Sequence, residues 1–106
     1  MKIKKSQAVI EDWSKVHSLN YKLTHIQPYQ SVVFAELNGV HGRVKTKDLE
    51  RIYYILEGSG EFEIAGKVIR VDTGDVLTVP PDTYYDYKPV GSKPLKILLF
   101  MELWDN

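Results

Sequence analysis

From residue 31 onward, the chain is built of short segments in which apolar and polar residues alternate, separated by turn-forming residues. A period of two places successive side chains on opposite faces of a strand. The strands that this pattern predicts are Ser31–Leu37, Ile52–Leu56, Glu61–Ile64, Lys67–Val71, Val76–Val79, Thr83–Tyr87 and Leu95–Leu103. Closely spaced strands with little helix are typical of an antiparallel sandwich or barrel, so the fold class is predicted to be all-β.

Turn residues and one apolar run refine this prediction. Ala65-Gly66 separates two alternating segments and therefore predicts a tight hairpin. Pro80-Pro81-Asp82 ends the strand before it, because proline has no amide hydrogen to donate to a neighbouring strand. Residues 97–101 are all apolar. This run predicts a buried strand at the centre of a sheet.

The first 30 residues carry a weaker pattern. Ser6 is positioned to cap a short helix through Ala8–Trp13, and Tyr21–Ile26 alternates as a strand does. We therefore divide the chain into an N-terminal arm, residues 1–30, and a β-barrel, residues 31–106.

The composition narrows the classes of function. The 106 residues suffice for one domain with one core, and 14 basic residues balance 14 acidic ones. A neutral chain argues against binding to nucleic acids or anionic membranes. The absence of cysteine excludes disulfides, thiolate catalysis and cysteine-based zinc sites. No apolar run is long enough for a membrane helix and no signal-peptide pattern is present, so we expect a cytoplasmic protein.

Two stretches with characteristic glycine and proline spacing carry the most specific signal. The first contains, in order, Gly39, Lys45-Thr46-Lys47, Arg51 and Gly58, and the second contains Gly74, Pro80-Pro81-Asp82, Tyr85 and Pro89. Their order and spacing resemble the two sequence motifs of the cupins. The resemblance covers roughly residues 31–103. It implies a single-domain cupin jelly-roll β-barrel (a double-stranded β-helix), here preceded by an N-terminal arm.

The resemblance also shows that the metal-ligand positions differ in this chain. Metal-binding cupins hold one divalent ion with two histidines and a glutamate of the first motif and a histidine of the second. The matching positions here are Lys45, Lys47, Arg51 and Tyr85. Ammonium and guanidinium groups only donate hydrogen bonds and carry positive charge, so they repel a cation. We expect no metal at this centre and no cofactor.

A shifted metal site is the alternative. Glu50 lies one residue before the expected ligand position, and His41 and His25 are the other available donors. A bulge near Asp48-Leu49 would turn Glu50 inward, because a one-residue slip exchanges the two faces of a strand.

Arg51 is the charged residue that alternation places most firmly. It shares a strand face with Tyr53 and Ile55. If that face lines the barrel, the guanidinium needs a carboxylate or a bound anion, because a buried unpaired charge is costly. Glu36 and Glu63 are the candidate internal partners.

Tyrosines and lysines complete the predicted binding set. Tyr85 and Tyr87 share a face opposite to Tyr84, and with Tyr53 they are expected to form an aromatic wall. The predicted ligand-binding residues are Arg51, Tyr53, Tyr85, Lys45, Lys47 and Tyr87. The alternatives are core packing for the tyrosines and a solvated loop for the lysines.

These residues favour a metal-independent binder of a small polar or anionic molecule, such as a sugar, a sugar phosphate or a carboxylate. A sugar isomerase or epimerase is the enzymatic alternative, with His41 or His25 as base and Tyr85 as acid; whether the protein is an enzyme stays open. A regulatory module that modulates a partner protein is a third possibility. The cupin resemblance implies a homodimer with the N-terminal arm as a contact, and we expect no nucleic-acid or membrane partner.

Overall fold

The structure, a computed structural model that describes residues 3–22 and 28–102, contains two antiparallel sheets packed face to face. The strands within these ranges are β1 (Val9–Trp13), β2 (Val16–Lys22), β3 (Ser31–Leu37), β4 (Val44–Lys45), β5 (Arg51–Glu57), β6 (Ser59–Ile64), β7 (Lys67–Asp72), β8 (Val76–Val79), β9 (Tyr84–Pro89) and β10 (Leu95–Met101). The larger sheet has the order β1-β2-β3-β10-β5-β8, and the smaller has the order β4-β9-β6-β7. The predicted all-β fold is confirmed.

The strand pattern after residue 30 agrees closely with the sequence prediction. Strands β3 and β8 have the predicted bounds, and β10 lies between β3 and β5 in the middle of the larger sheet. In the β6–β7 hairpin, Ala65 and Gly66 both have positive φ, 50° and 82°. Such a turn matches the right-handed twist of the two strands that it joins.

The predicted helix at the N-terminus is wrong. Residues Lys5–Gln7 form a single 3-10 turn, and Val9–Trp13 is strand β1, which pairs with β2. Pairing with β2 gives the backbone of this segment its hydrogen-bond partners, and this tertiary contact outweighs the local helical signal. Tyr21 and Lys22 belong to β2, while the rest of the strand predicted over Tyr21–Ile26 lies outside the described residues.

The core lies between the inner faces of the two sheets. Strands β3 and β10 alternate strictly between buried and partly exposed side chains. The largest fully buried side chains are Tyr53, Tyr85, Phe62, Leu37, Ile55, Leu95, Ile97 and Val79. Within the two described ranges, no helix is long and apolar enough to cross a membrane.

Candidate functional site

A cavity of about 270 Å³ opens between the two sheets, inside the barrel. Its aromatic and basic wall residues are Trp13, His41, Arg51, Tyr53, Tyr85 and Tyr87. Aliphatic side chains from β3 and β10 form much of the remaining wall. The volume is near the lower end of the range for ligand pockets, so it suits one small molecule.

Arg51, the first residue of β5, points into the barrel, as its alternation with Tyr53 requires. Its Nη2 donates to Oε1 of Glu102 at 2.8 Å, and its Nη1 donates to the Tyr85 hydroxyl at 2.8 Å. The side chains of Arg51 and Glu102 are only 11% and 18% exposed, so this ion pair is largely shielded from water.

The partner of Arg51 corrects the sequence prediction, which proposed Glu36 or Glu63. Glu102 follows the last residue of β10, which runs antiparallel to β5. The β5–β10 register, in which Phe100 lies opposite Ile52, carries residue 102 to the start of β5. The predicted need for a carboxylate partner was therefore met by a residue from a neighbouring strand.

Three buried tyrosines line the cavity together with Arg51, and two of them, Tyr53 and Tyr85, extend its hydrogen bonds. The hydroxyl oxygens of Tyr53 and Tyr85 are 2.5 Å apart, and Tyr85 also accepts a hydrogen bond from Arg51. Tyr87 contacts Tyr53 edge to face and stacks on Phe62, with centroids 5.3 Å and 4.5 Å apart. The predicted placement of these tyrosines on one wall is confirmed, while their role in ligand binding stays a prediction.

The protonation of this cluster follows from its burial. Burial raises the pKa of Tyr53, Tyr85 and Tyr87, although the positive charge of Arg51 opposes this effect in each case. For Arg51, burial disfavours the charge, but the contacts with Tyr85 and Glu102 outweigh it and raise the pKa. The cluster therefore presents neutral phenols beside a cation that is already paired.

His41 is held against the cavity by the loop between β3 and β4. Its backbone N–H donates to the carbonyl oxygen of Tyr87 at 2.8 Å, and its ring stacks on the Tyr87 ring with centroids 4.7 Å apart. Nδ1 lies 2.8 Å from the carbonyl oxygen of Gly42. A carbonyl only accepts, so Nδ1 carries the proton and Nε2 carries the lone pair of the neutral ring.

The electrostatic surroundings of His41 keep this ring neutral. Burial lowers its pKa, the Gly42 carbonyl and Asp86 oppose the shift, and Arg51 adds to it. His41 is thus an unprotonated imidazole at neutral pH, which is the form that accepts a proton.

Lys45 and Lys47 lie away from this cavity. Lys45 is exposed, with its Nζ 3.0 Å from Oδ1 of Asp82 and 5.2 Å from the ring centre of Tyr84. Lys47 is also exposed. The alternation through β4 and the loop after it turns Val44 and the buried Thr46 inward and leaves the two lysines facing solvent.

The residues at the expected cupin metal centre do not suit a divalent cation. Two of the four positions are solvent-facing lysines, and the third is a paired guanidinium that donates to the fourth, Tyr85. Within residues 3–22 and 28–102, no group of three or more His, Cys, Asp or Glu side chains is arranged to hold a metal ion. Of the shifted site, Glu50 is exposed and His25 lies outside the described residues, so that alternative stays a prediction.

Sequence reasoning missed the cavity residues that come from the N-terminal strands. Glu11, Ser18 and Asn20 line the cavity from β1 and β2. Ser18 and Asn20 share an inward face with Val16, a pattern that was readable once residues 16–22 were recognised as a strand.

Comparison with known sequences identifies one family and one partial relative. A family model described as a Cupin domain matches residues 39–101. An uncharacterized protein of Methanocaldococcus jannaschii is 43% identical over 49 residues, which are 46% of this chain and 39% of that protein. The match thus spans well under half of that relative.

Several solved structures share the fold over nearly the whole chain. A predicted oxalate decarboxylase from Thermotoga maritima has a TM-score of 0.81 and 24% identity, and the match covers 97% of this chain and 99% of that one. KdgF from Halomonas sp. has a TM-score of 0.76 and 21% identity, and the match covers 96% of this chain and 93% of that one. The nucleoside dehydratase Pac13 has a TM-score of 0.80 and 18% identity, and the match covers 99% of this chain and 84% of that one. Variants of Pac13 from Streptomyces have been solved with uridine. At these identities the likeness shows the fold alone.

Proposed function

The chain belongs to the cupin family, and we propose that its barrel binds a small, neutral, hydroxyl-bearing ring molecule, such as a sugar, without a metal. The observation that carries this proposal is the 270 Å³ cavity walled by Tyr53, Tyr85, Tyr87, Arg51 and His41. Tyrosines offer an aromatic face to a ring and a hydroxyl to its polar groups, which is the combination that carbohydrate-sized ligands require.

The charge balance of the cavity favours a neutral ligand over an anion. The only arginine on the described cavity wall, Arg51, is already paired with Glu102. Glu11 adds a negative charge to the wall, while Lys45 and Lys47 lie outside it. Of the sugar, sugar phosphate and carboxylate expected from the sequence, the uncharged sugar therefore fits best. The uridine bound by Pac13 variants, a nucleoside that carries a ribose, supports the same class.

Nuclear magnetic resonance titration with D-ribose, uridine and ribose 5-phosphate tests this proposal. We expect saturable shifts from the two neutral compounds and no gain in affinity from the phosphate. Tyr85→Phe should weaken binding about tenfold, because it removes a hydroxyl from the cavity wall. Tyr84→Phe is the matched control, since Tyr84 precedes Tyr85 on β9 but is exposed.

Two results would contradict the proposal. One is the absence of binding by either neutral compound. The other is an equal loss of affinity in Tyr84→Phe and Tyr85→Phe.

We infer that acid–base catalysis on the bound molecule is a second candidate function. The inference rests on the tautomer of His41, in which Nδ1 carries the proton and Nε2 is free to accept one. Its Nε2 is the basic nitrogen of a ring that lines the cavity. Tyr85 is the proton donor in this scheme, and the hydrogen bond from Arg51 stabilises the phenolate that remains. An isomerase or epimerase requires such a pair, one group removing a proton from carbon and the other supplying one.

Deuterium incorporation at C2 of D-ribose in D2O is the corresponding measurement, because the open-chain aldehyde makes the C–H at that position acidic. We expect slow incorporation in the wild type and none in His41→Gln. If the wild-type protein binds D-ribose but the bound sugar gains no deuterium, only the binding function remains.

We also infer that two copies of the chain pair through the outer face of the larger sheet. The strand registers align one apolar row across all six strands. This outer apolar row consists of Ile10, Leu19, Phe34, Leu98, Tyr54 and Val76. Ile10 and Val76 are 61% and 63% exposed, and Tyr54 is 40% exposed.

The size and symmetry of this face suit a second copy. Six strands about 4.8 Å apart make a face roughly 24 Å wide, and a seven-residue strand such as β3 is about 23 Å long. The face therefore covers roughly 550 Å², which approaches the area of about 800 Å² that one partner contributes to a standard interface. A two-fold axis through the middle of the sheet would lay the row on its own copy, as a symmetric dimer requires. The N-terminal strands contribute Ile10 and Leu19, which is how the arm would take part in the contact.

A further inference from the structure

Ser18 and Asn20 form a second polar group on the cavity wall, separate from the cluster around Arg51. Both lie on the inner face of β2 and are only 2% and 3% exposed. Polar side chains this deeply buried need hydrogen-bond partners, because an unpaired buried polar atom destabilises the fold. The donors and acceptors of Ser18 and Asn20 that the protein leaves unused are therefore available to a ligand.

The hydrogen bonds of Asn20 leave a defined pair of unused groups. Its Nδ2 donates to the carbonyl oxygen of Val9 at 3.0 Å and to Oγ of Ser18 at 3.2 Å. The Val9 carbonyl only accepts, so this contact fixes which end of the amide is nitrogen. In the described part of the chain, no group donates to Oδ1 of Asn20, and the Ser18 hydroxyl has no acceptor. The pair thus offers an acceptor next to a donor.

The strand registers separate this pair from the tyrosine cluster. Asn20 lies opposite Val33, Val33 opposite Leu99, and Leu99 opposite Tyr53. Three steps of the strand spacing place the Cα atoms of Asn20 and Tyr53 about 14 Å apart along the sheet. The side chains of Val33 and Leu99 also line the cavity. The cavity therefore has a polar group at each end and an apolar floor between them.

We propose that Ser18 and Asn20 bind the lactam or imide edge of a heterocyclic ring, with Asn20 Oδ1 accepting from its N–H and the Ser18 hydroxyl donating to its C=O. This inference rests on the proposed function, in which the tyrosine cluster contacts the hydroxyl-bearing part of the same ligand. Glu11 lies opposite Ser18 in the β1–β2 ladder and lines the cavity, so an anionic group is disfavoured at this end. The ligand class is a neutral, nucleoside-like molecule.

The test compares uridine, 3-methyluridine and D-ribose by nuclear magnetic resonance titration. 3-Methyluridine differs from uridine in a methyl group on N3, which replaces the N–H whose hydrogen bond Asn20 Oδ1 would accept. We expect the wild type to bind uridine about tenfold more tightly than 3-methyluridine. In Asn20→Leu the two affinities should become equal while the affinity for ribose is retained. Asn38→Ala, which changes an exposed asparagine, should keep the tenfold preference.

Each failure points to a different step. If neither ribose nor uridine binds the wild type, the proposed function and this inference both fail. If ribose binds but uridine and 3-methyluridine bind equally, only this inference fails. Ser18→Ala provides a second variant should Asn20→Leu not fold, and an unchanged affinity for uridine in Ser18→Ala would also overturn the inference.

Discussion

At the scale of single residues, Arg51 links the stability of the barrel to its chemistry. Its ion pair with Glu102 is mostly buried, and Arg51 Nε and Glu102 Oε2 have no hydrogen-bond partner among the described residues. Removing one partner of such a buried pair is costly, because the charge that remains loses its counter-ion.

We therefore expect Glu102→Ala to lower the free energy of unfolding by about 3 kcal/mol. Arg70→Ala removes a pair in which both side chains are 58% exposed and should change it by less than about 0.5 kcal/mol. The double variant Arg51→Met, Glu102→Leu replaces both charges by apolar groups, so its free energy of unfolding should fall by less than that of Glu102→Ala. Urea unfolding of the variants provides the measurement. Equal effects of Glu102→Ala and Arg70→Ala would show that the buried pair has no special role.

His41 makes the stability depend on pH. Burial lowers its pKa in the folded state, so the unfolded chain binds the proton more readily. The stability contributed by neutral His41 is complete above the unfolded pKa of about 6.5 and is lost as the pH falls through the lower folded pKa.

His41→Gln should remove this part of the acid destabilisation, while His17→Gln, at an exposed histidine, should leave it in place. Urea unfolding between pH 7.5 and 4.5 measures the difference. The same slope in the wild type and in His41→Gln would refute the assignment.

Residue-level predictions from the sequence succeeded where they depended on alternation alone. The inward direction of Arg51, and the opposite faces of Tyr84 and Tyr85, follow from the period of two within one strand. The identity of Glu102 as the partner depends on the register between β5 and β10, which a single sequence does not specify.

At the scale of elements, the turn at Gly58 joins β5 and β6 and shows why the family motif needs a glycine there. Gly58 has φ of +90°, and a Cβ at this position would lie 2.5 Å from the carbonyl oxygen of Pro94. Gly66 has a similar φ of +82°, but a Cβ there would meet nothing within 4 Å.

The two glycines form a matched pair for substitution. Gly66→Ala should cost about 1 kcal/mol, the penalty for a left-handed backbone. Gly58→Ala should cost about 3 kcal/mol, because the chain at Pro94 must also shift. Thermal and urea unfolding compare them. Equal losses would mean that the close approach to Pro94 does not constrain the turn.

Element-level predictions were good after residue 30 and poor before it. Strands such as β3 and β8 alternate clearly between turn residues, and their bounds were predictable. Strand β1 is short and largely exposed, and it is specified mainly by its pairing with β2. Without that partner in view, Ser6 gave a misleading helix signal, and the cavity residues on β1 and β2 went unrecognised.

At the scale of the whole molecule, the outer apolar row predicts self-association. Val76 and Val68 are both 63% exposed, but Val76 belongs to the row on the larger sheet and Val68 lies on β7 of the smaller one. A charge placed in an apolar interface is strongly disfavoured, whereas a charge at a free surface is tolerated.

We expect the wild type and Val68→Glu to sediment as dimers and Val76→Glu to shift toward monomers. Sedimentation equilibrium over a range of protein concentrations measures the change. A monomeric wild type, or a dimer unaffected by Val76→Glu, would contradict pairing through this face.

The most direct test of the central claim, that the barrel cavity binds the ligand, is to fill the cavity. Ala35 is a small, buried residue on the cavity wall, and Ala8 lies outside the cavity at the end of the 3-10 turn. We expect Ala35→Leu to fold and to lose binding of uridine and D-ribose in nuclear magnetic resonance titrations, while Ala8→Leu binds both as the wild type does. Unchanged binding by a folded Ala35→Leu protein would contradict the claim and place the site elsewhere.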